Sequence, residues 1–341
     1  LWVELSILNF MKKYIIIGII SCLIFSCKKT QKEEQTKKPN ILFIMTEDHA
    51  MAAISAYQGF LSVVAPTPNI DRIANEGMRF NNMFCTNSIC GPSRASILTG
   101  KYAHVNGFFK NEGGGDFDGS QQTFPKILQK NGYETAVIGK WHLFSEPAAF
   151  DYYKVLPEQG KYFDPDFREK GKGSWPSNMV THEGYASDII TDLTIDYLNN
   201  RDKERPFFLL HHHKAPHGPF SRPSRYDEYL KNIEIPEPAS LYNQPYFGSE
   251  ATRGKNDSLI NYIGSTISSR HRLHPSSAED GDLATHNTYQ GYLKDYLGCA
   301  RGVDDNLERL FDYLKKEGLW ENTVIIYTSD QGMLLGEHDF K

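Results

Sequence analysis

Four clusters of polar and charged residues in this 341-residue chain carry side chains that could do chemistry. Their carboxylates and amide offer the oxygen ligands that Ca²⁺ and Mg²⁺ prefer, and their histidines can exchange protons near neutral pH. Taken singly, each residue also fits a solvated turn or a surface position. The clusters are Glu47-Asp48-His49, Lys140-Trp141-His142, His211–His217 and Ser329-Asp330-Gln331.

Each cluster comes directly after a short, continuous apolar run, which predicts a strand buried on both faces of a parallel sheet. The runs are Ile41–Met45, Thr135–Gly139, Phe207–Leu210 and Thr323–Tyr327. Segments between them predict helices over Pro68–Glu76, Thr123–Asn131, Ala186–Asn200 and Thr288–Glu317. This alternation indicates an α/β fold with a mostly parallel sheet. Because ligands bind beyond the carboxyl ends of such strands, we expect the four clusters to meet at one site.

A further candidate is the string CGPSRASILTG at residues 90–100. Pro92 suits the first turn of a helix and Gly100 its end. Cys90 is therefore predicted at a helix N-terminus, where free N–H groups and the helix dipole favour anions. Taken alone, Cys90 could also be a buried structural cysteine or half of a disulfide with Cys85.

The string matches the signature C-x-P-S-R-x-x-x-L-T-G at every fixed position. With it, the chain from about Asn40 to Lys341 resembles the type I sulfatases of the alkaline-phosphatase-like superfamily. The resemblance implies that family's α/β core, with a mostly parallel central sheet flanked by helices. It also implies that a separate maturation enzyme oxidises Cys90 to formylglycine (3-oxoalanine), whose hydrated aldehyde is the nucleophile. The alternative is an unmodified Cys90 that acts with a histidine.

The resemblance also implies one divalent cation, usually Ca²⁺, with Mg²⁺ as the other candidate. Its ligands would be Glu47, Asp48, Asp330 and Gln331, together with the modified Cys90. Glu47 departs from the family pattern, which has aspartate at this position. The longer glutamate side chain can still bring an oxygen to a hard cation.

The catalytic residues that the resemblance implies lie in the same motifs. Arg94 would hold the hydrated aldehyde, and Lys140 and Lys341 would bind the sulfate. His217 would protonate the leaving alcohol, and His142 would take the proton when the sulfated enzyme breaks down. In such a mechanism, the main contribution to catalysis is electrostatic: the cation, the two lysines and the arginine neutralise the negative charge of the transferred sulfate group.

Several stretches resemble bacterial N-acetylglucosamine-6-sulfatases, among them residues 46–50, 86–90, 118–125 and 213–217. The predicted function is hydrolysis of sulfate monoesters on sulfated oligo- or polysaccharides, such as 6-sulfated N-acetylglucosamine or algal ulvan and carrageenan sugars. One alternative is a phosphodiester or phosphonate hydrolase of the same superfamily. The other is an inactive, truncated lipoprotein that binds glycans.

Residues 11–26 combine a basic start with a short apolar core, which is typical of a secretory signal peptide. The sequence up to Cys27 resembles a bacterial lipoprotein signal, which implies acylation of Cys27 and attachment to a membrane. We therefore expect an exported lipoprotein, in the periplasm or on the cell surface. Cys22 is a weaker acylation site, and a plain signal peptide or an anchor helix is the alternative.

The predicted domain order starts with residues 1–10, interpreted as upstream sequence before Met11. The signal peptide is followed by the tether 27–39 and by a catalytic domain over 40–341. Sulfatases normally continue into a smaller C-terminal domain, so we expect this chain to be a fragment of a longer enzyme.

Composition excludes two further classes. The net charge is −5 and no basic stripe stands out, so a nucleic-acid partner is not expected. Five cysteines in 341 residues do not make a disulfide scaffold.

Overall fold

The computed structural model describes residues 37–111, 115–242 and 281–339, together with Leu259. The predicted signal peptide, Cys27, most of the tether and Lys341 lie outside these residues. Among the residues described, no helix has the length and apolar character needed to cross a membrane.

The strands and helices follow the alternation expected from the sequence. The strands are β1 (Asn40–Thr46), β2 (Glu134–Lys140), β3 (Tyr152–Leu156), β4 (Asp166–Glu169), β5 (Met179–Thr181), β6 (Phe207–His212) and β7 (Thr323–Ser329). The helices are α1 (Pro68–Glu76), α2 (Cys90–Thr99), α3 (Ala103–Asn106), α4 (Phe124–Lys130), α5 (Ala186–Asn200) and α6 (Gly281–Lys316). Single 3₁₀ turns cover Met51–Ala53, Ser55–Tyr57, Ser224–Tyr226, Trp320–Asn322 and Glu337–Asp339.

One seven-stranded sheet has the order β5-β4-β3-β2-β6-β1-β7. The neighbours from β3 to β7 pair in parallel, and β4 and β5 add an antiparallel edge. The prediction of an α/β fold with a mostly parallel sheet is confirmed. The carboxyl ends of β1, β2, β6 and β7 therefore lie along one edge of the sheet.

The apolar runs form strands because helices cover both faces of the sheet. On one face, Leu42 and Leu209 join a core with side chains of α5 and α6, such as Ile190 and Leu293. On the other face, the strand side chains pack against α2 and α4, as in the contact of Phe208 with Phe124 at 5.2 Å between ring centres. Strands buried on both faces need no polar alternation.

The predicted bounds of α1 and α5 are confirmed, but α6 begins seven residues before Thr288. Its first turn opens with glycine and aspartate, two residues of low helix propensity, which weakens the local signal for its start. Strands β3, β4 and β5 were not predicted, because they are only 5, 4 and 3 residues long and include charged or polar residues, which leaves little local pattern.

Candidate active site

The polar residues that follow the strands converge at the carboxyl edge of the sheet. Glu47 and Asp48 come directly after β1, Lys140 ends β2, and Asp330 follows β7. All four residues are buried, and none has more than 6% of its surface exposed to solvent. Burying this many charges is costly unless they are paired or bind an ion, so their convergence marks a functional site.

Cys90 is the first residue of α2 and lies in the same cluster. One potential ligand atom from each of Cys90, Glu47 and His142 lies within 4.8 Å of the other two. Gln331 Nε2 is 3.6 Å from Cys90 Sγ. Cys85 and Cys90 are free thiols, so the two do not form the alternative disulfide.

Arg94 lies one turn into α2 and connects two of the strand ends. Its Nε donates to Asp330 Oδ2 at 3.0 Å, and its Nη2 is 2.9 Å from the same oxygen. Its Nη1 donates to the backbone carbonyl of Lys140 at 2.8 Å. Ser93 Oγ donates to the Asp330 carbonyl. Arg94 and Ser93 of α2 therefore connect the end of β2 to the residue that follows β7.

Asp48 is held from three directions. Its backbone N–H donates to Asp330 Oδ1 at 3.2 Å, and Gln331 Nε2 donates to its Oδ1 at 2.7 Å. The Tyr296 hydroxyl, from α6, donates to the Asp48 carbonyl at 2.8 Å and accepts from the Ala50 N–H at 2.8 Å. These contacts place the Asp48 and Asp330 carboxylates side by side.

Lys140 and Glu47 form a buried ion pair. Gln159, in the loop after β3, also accepts a hydrogen bond from Lys140 Nζ. The lysine predicted to bind sulfate is therefore anchored by a predicted metal ligand on one side and by a loop amide on the other.

His217 closes the side of the cluster next to β6. Its Nε2 lies 3.6 Å from Asp48 Oδ2 and 3.9 Å from Glu47 Oε1. Its Nδ1 is 2.7 Å from the Gly218 carbonyl. Because a carbonyl only accepts, Nδ1 carries the hydrogen, and Nε2 is the nitrogen that faces the cluster.

The carboxylates influence one another strongly. Burial, and then the negative charges of Glu47 and Asp330, raise the pKa of Asp48 to about 7. Burial acts in the same direction on Glu47, but the positive charges of Lys140 and His217 outweigh it and lower the pKa of Glu47. Burial and the nearby carboxylates raise the pKa of the Cys90 thiol, which disfavours the thiolate needed by the unmodified-cysteine alternative.

These residues fit a divalent cation. Three buried carboxylates, of Glu47, Asp48 and Asp330, share the space with the side chain of Gln331. Burial and the repulsion from Glu47 and Asp330 raise the pKa of Asp48, and a bound cation would offset both effects. Oxygen donors of this kind select Ca²⁺ or Mg²⁺ rather than a metal that prefers thiolates.

Two of the predicted functional residues have left-handed backbone conformations. The φ angles are 59° for Asp48 and 54° for His142, in a region that residues other than glycine seldom adopt. Such conformations cost free energy and persist where the surrounding structure enforces them, commonly at active sites. His142 is also buried, and its Nδ1 has no hydrogen-bond partner among the residues described.

Of the predicted site residues, only Lys341 lies outside the described part of the chain. Sequence reasoning missed Gln159 and Tyr296, which contact Lys140 and the backbone of Asp48. Tyr296 looked like any other residue on the apolar side of α6. Gln159 lies in a loop after an unpredicted strand, so no local signal identified either residue.

Comparison with known proteins agrees with this architecture. A family model described as sulfatase matches residues 39–341. An N-acetylglucosamine-6-O-sulfatase of Bacteroides thetaiotaomicron is 41% identical over 98% of this chain and 65% of its own length. An ulvan-active sulfatase of Formosa agariphila is 28% identical over 95% of this chain and 57% of its own length. The chain thus spans less than two thirds of these relatives.

A solved structure, of a protein in complex with its substrate D-glucosamine-2-N,6-O-disulfate, superposes with a TM-score of 0.79 at 42% identity. The superposition covers 89% of this chain and 67% of the other. It confirms the alkaline-phosphatase-like fold. Sulfatases generally use formylglycine and a divalent cation. The family match across residues 39–341 and the 41% identity show that this chain belongs to the sulfatase family.

Proposed function

We propose that this protein hydrolyses sulfate monoesters on sulfated glycans, with 6-O-sulfated glucosamine or N-acetylglucosamine as the favoured sugar. The observation that carries the proposal is the single buried cluster formed by the strand ends and the N-terminus of α2. Its cations and carboxylates suit a small anion and a divalent metal. The 41% identity to an N-acetylglucosamine-6-O-sulfatase supports the choice of sugar.

A cation would be held by Glu47, Asp48, Asp330 and Gln331. When bound, it would supply positive charge that neutralises the sulfate oxygens. Arg94 keeps Asp330 in place through the 2.9 Å and 3.0 Å contacts, which leaves Asp330 Oδ1 directed to the Asp48 N–H. The protein's own part is to hold these oxygens together before the metal arrives.

Cys90 is the residue that the maturation enzyme would convert to formylglycine. Its place at the N-terminus of α2 puts it at the end of the helix dipole that favours an anionic substrate. Mass spectrometry of the Cys90 peptide, after expression with a formylglycine-generating enzyme, tests the conversion. An intact thiol in an active preparation would contradict it.

Lys140 would bind the sulfate, and His217 and His142 would move protons. Burial, then the charge of Lys140, lowers the pKa of His142 to about 3, so its imidazole is neutral and can act as a base. Burial lowers the pKa of His217 to about 4. A bound anion raises the pKa of a neighbouring imidazole, so we propose that the sulfated substrate itself promotes the protonated His217 that acts as the acid.

The decisive experiment is sulfate release from a panel of substrates by the matured enzyme. The panel contains 6-sulfated glucosamine and N-acetylglucosamine, ulvan and carrageenan oligosaccharides, and matched aryl sulfate and aryl phosphate esters. We expect release from the 6-sulfated amino sugars, and loss of activity in EDTA that Ca²⁺ restores. Faster cleavage of the phosphate ester would favour the phosphatase-type alternative.

We also propose that the protein is exported and acylated at Cys27. The support is the sequence pattern of residues 11–27 alone. Metabolic labelling with a radioactive fatty acid tests it. Labelling that persists in Cys27→Ala would contradict the proposed anchor position.

A further inference from the structure

Lys214 is a buried cation to which the proposed mechanism gives no role. It lies two residues after β6, and only 2% of it is exposed. Its Nζ is 3.4 Å from the carbonyl of Gly218 and 5.0 Å from the centre of the Tyr162 ring. A charged ammonium is seldom buried this deeply without a task.

The Gly218 carbonyl that Lys214 contacts also receives the Nδ1–H of His217, at 2.7 Å. One carbonyl therefore joins the ammonium to the imidazole. A carbonyl oxygen has two lone pairs, so it can accept both hydrogen bonds. The hydrogen bond from the Lys214 ammonium fixes the direction of the Gly218 carbonyl, and this carbonyl then accepts the hydrogen bond from His217 in a fixed geometry.

Further contacts restrain the backbone of the turn formed by residues 214–218. The Tyr162 hydroxyl donates to the His217 carbonyl at 2.5 Å, and the Tyr162 ring stacks on Tyr185 at 5.7 Å between ring centres. The His217 N–H donates to the Lys214 carbonyl at 3.1 Å. With the backbone held at these points, the remaining freedom of His217 is the rotation of its ring, which the Gly218 carbonyl restricts.

We propose that Lys214 is a positioning residue for His217. Through the Gly218 carbonyl it keeps the hydrogen on Nδ1 and turns Nε2 toward Asp48 and the reacting ester. This inference rests on the proposed role of His217 as the acid that protonates the leaving alcohol. It assigns Lys214 to the orientation of that acid and not to contact with the sulfate.

The test compares Lys214→Met with Lys214→Arg in the full, matured chain. For a 6-sulfated amino sugar we expect Lys214→Met to lower kcat by about 10- to 100-fold, a part of what a general acid contributes, with little change in KM. Lys214→Arg should restore most of kcat. The matched control is Lys161→Met, since the side chain of Lys161 is 65% exposed and pairs with Asp166 at 2.7 Å.

Two further arms separate positioning from a general structural effect. An aryl sulfate with a good leaving group needs little protonation, so Lys214→Met should cleave it nearly as fast as the wild type does. In a His217→Ala background, Lys214→Met should cause no further loss, because residues that act as a unit are not additive. Equal losses for both substrates, or additive losses, would overturn the proposal.

A spectroscopic arm needs no activity. Two-bond ¹⁵N–¹H spectra of histidine-labelled protein report which ring nitrogen of His217 carries hydrogen, with His217→Gln giving the assignment. We expect the Nδ1–H form in the wild type and a mixture of tautomers in Lys214→Met. An unchanged tautomer in Lys214→Met overturns the positioning role, whereas absence of sulfate release by the wild type overturns only the proposed function.

Discussion

Arg94 and Asp330 form a buried ion pair that joins the start of α2 to the end of β7, across 236 residues of sequence. Both Nε and Nη2 of the arginine lie within 3.0 Å of one carboxylate oxygen. The pair fixes a predicted metal ligand in place before any metal binds. It also makes the stability of the site depend on residues far apart in the chain.

Arg94→Met is therefore expected to lower the free energy of unfolding by about 3–5 kcal/mol, because it leaves the Asp330 carboxylate buried without its partner. Urea unfolding followed by circular dichroism measures this. The control is Lys231→Met. Lys231 pairs with the exposed Glu228 at 2.8 Å, so this substitution should lower the free energy of unfolding by less than about 1 kcal/mol. Equal costs for the two variants would show that the buried pair does not stabilise the fold.

Asp48→Asn is expected to change stability in opposite directions with and without Ca²⁺. The pKa of Asp48 is raised from 3.8 to about 7, so in EDTA the folded chain keeps a proton that the unfolded chain has released. The stability of the wild type should then fall as the pH rises from 4 through 7. Asp48→Asn removes this loss, and we expect a higher Tm than the wild type in EDTA at pH 8.

In the presence of Ca²⁺ the order should reverse. A cation that binds only the folded state stabilises it by about 2.7 kcal/mol at 100 times its Kd. Asp48→Asn removes one ligand and should lose most of this gain. Calorimetric scans in EDTA and in CaCl₂ give both values, and a Ca²⁺-induced rise in Tm of the same size in Asp48→Asn would show that Asp48 is not a ligand.

Buried histidines behind β6 should make the protein sensitive to acid. His213 is fully buried, and burial lowers its pKa to about 3. Below pH 6.5 the unfolded chain binds a proton that the folded chain does not, so stability should fall by about 1.4 kcal/mol per pH unit for this group. His213→Leu should reduce that slope in urea unfolding between pH 6.5 and 4.5.

His104→Leu is the matched control, since it replaces a histidine whose side chain is exposed. If His213→Leu loses stability in acid as steeply as the wild type does, the proton uptake belongs to other groups. His211 is then the next histidine to replace. It is also fully buried, and its Nδ1 forms a 2.9 Å hydrogen bond with Thr194 Oγ1.

Gly139→Ala should disrupt the site through the backbone. Gly139 has a φ of 104°, and a Cβ there would lie 1.8 Å from the His212 carbonyl of the neighbouring strand. Relieving that overlap must separate β2 from β6 next to Lys140. We expect loss of several kcal/mol of folding free energy, or no soluble protein.

Gly132→Ala provides the matched control. Its φ is 87°, but a Cβ there would meet no atom within 4 Å. The substitution should cost only about 1–2 kcal/mol of backbone strain. Thermal unfolding compares the two, and a Gly139→Ala protein as stable as Gly132→Ala would contradict the close approach of the strands.

The sequence by itself determined the fold class and most of the site. Apolar runs bounded by polar clusters predicted β1, β2, β6 and β7, because strands buried on both faces leave a continuous local pattern. Because ligands bind beyond the carboxyl ends of parallel strands, the sequence also predicted that the polar residues after these strands would lie close together. The string at residues 90–100 predicted Cys90 and Arg94 as site residues, and the structure places both beside the strand ends.

Only the tertiary structure decided which groups contact one another within that site. Arg94 contacts Asp330, Lys140 contacts Glu47 and Gln159, and Tyr296 holds the backbone of Asp48. None of these pairings leaves a local signal, since hydrogen bonds across 19 to 248 residues depend on how the sheet orders its strands. Local pattern reports the environment of a residue, whereas the identity of its partner is set by packing of the whole domain.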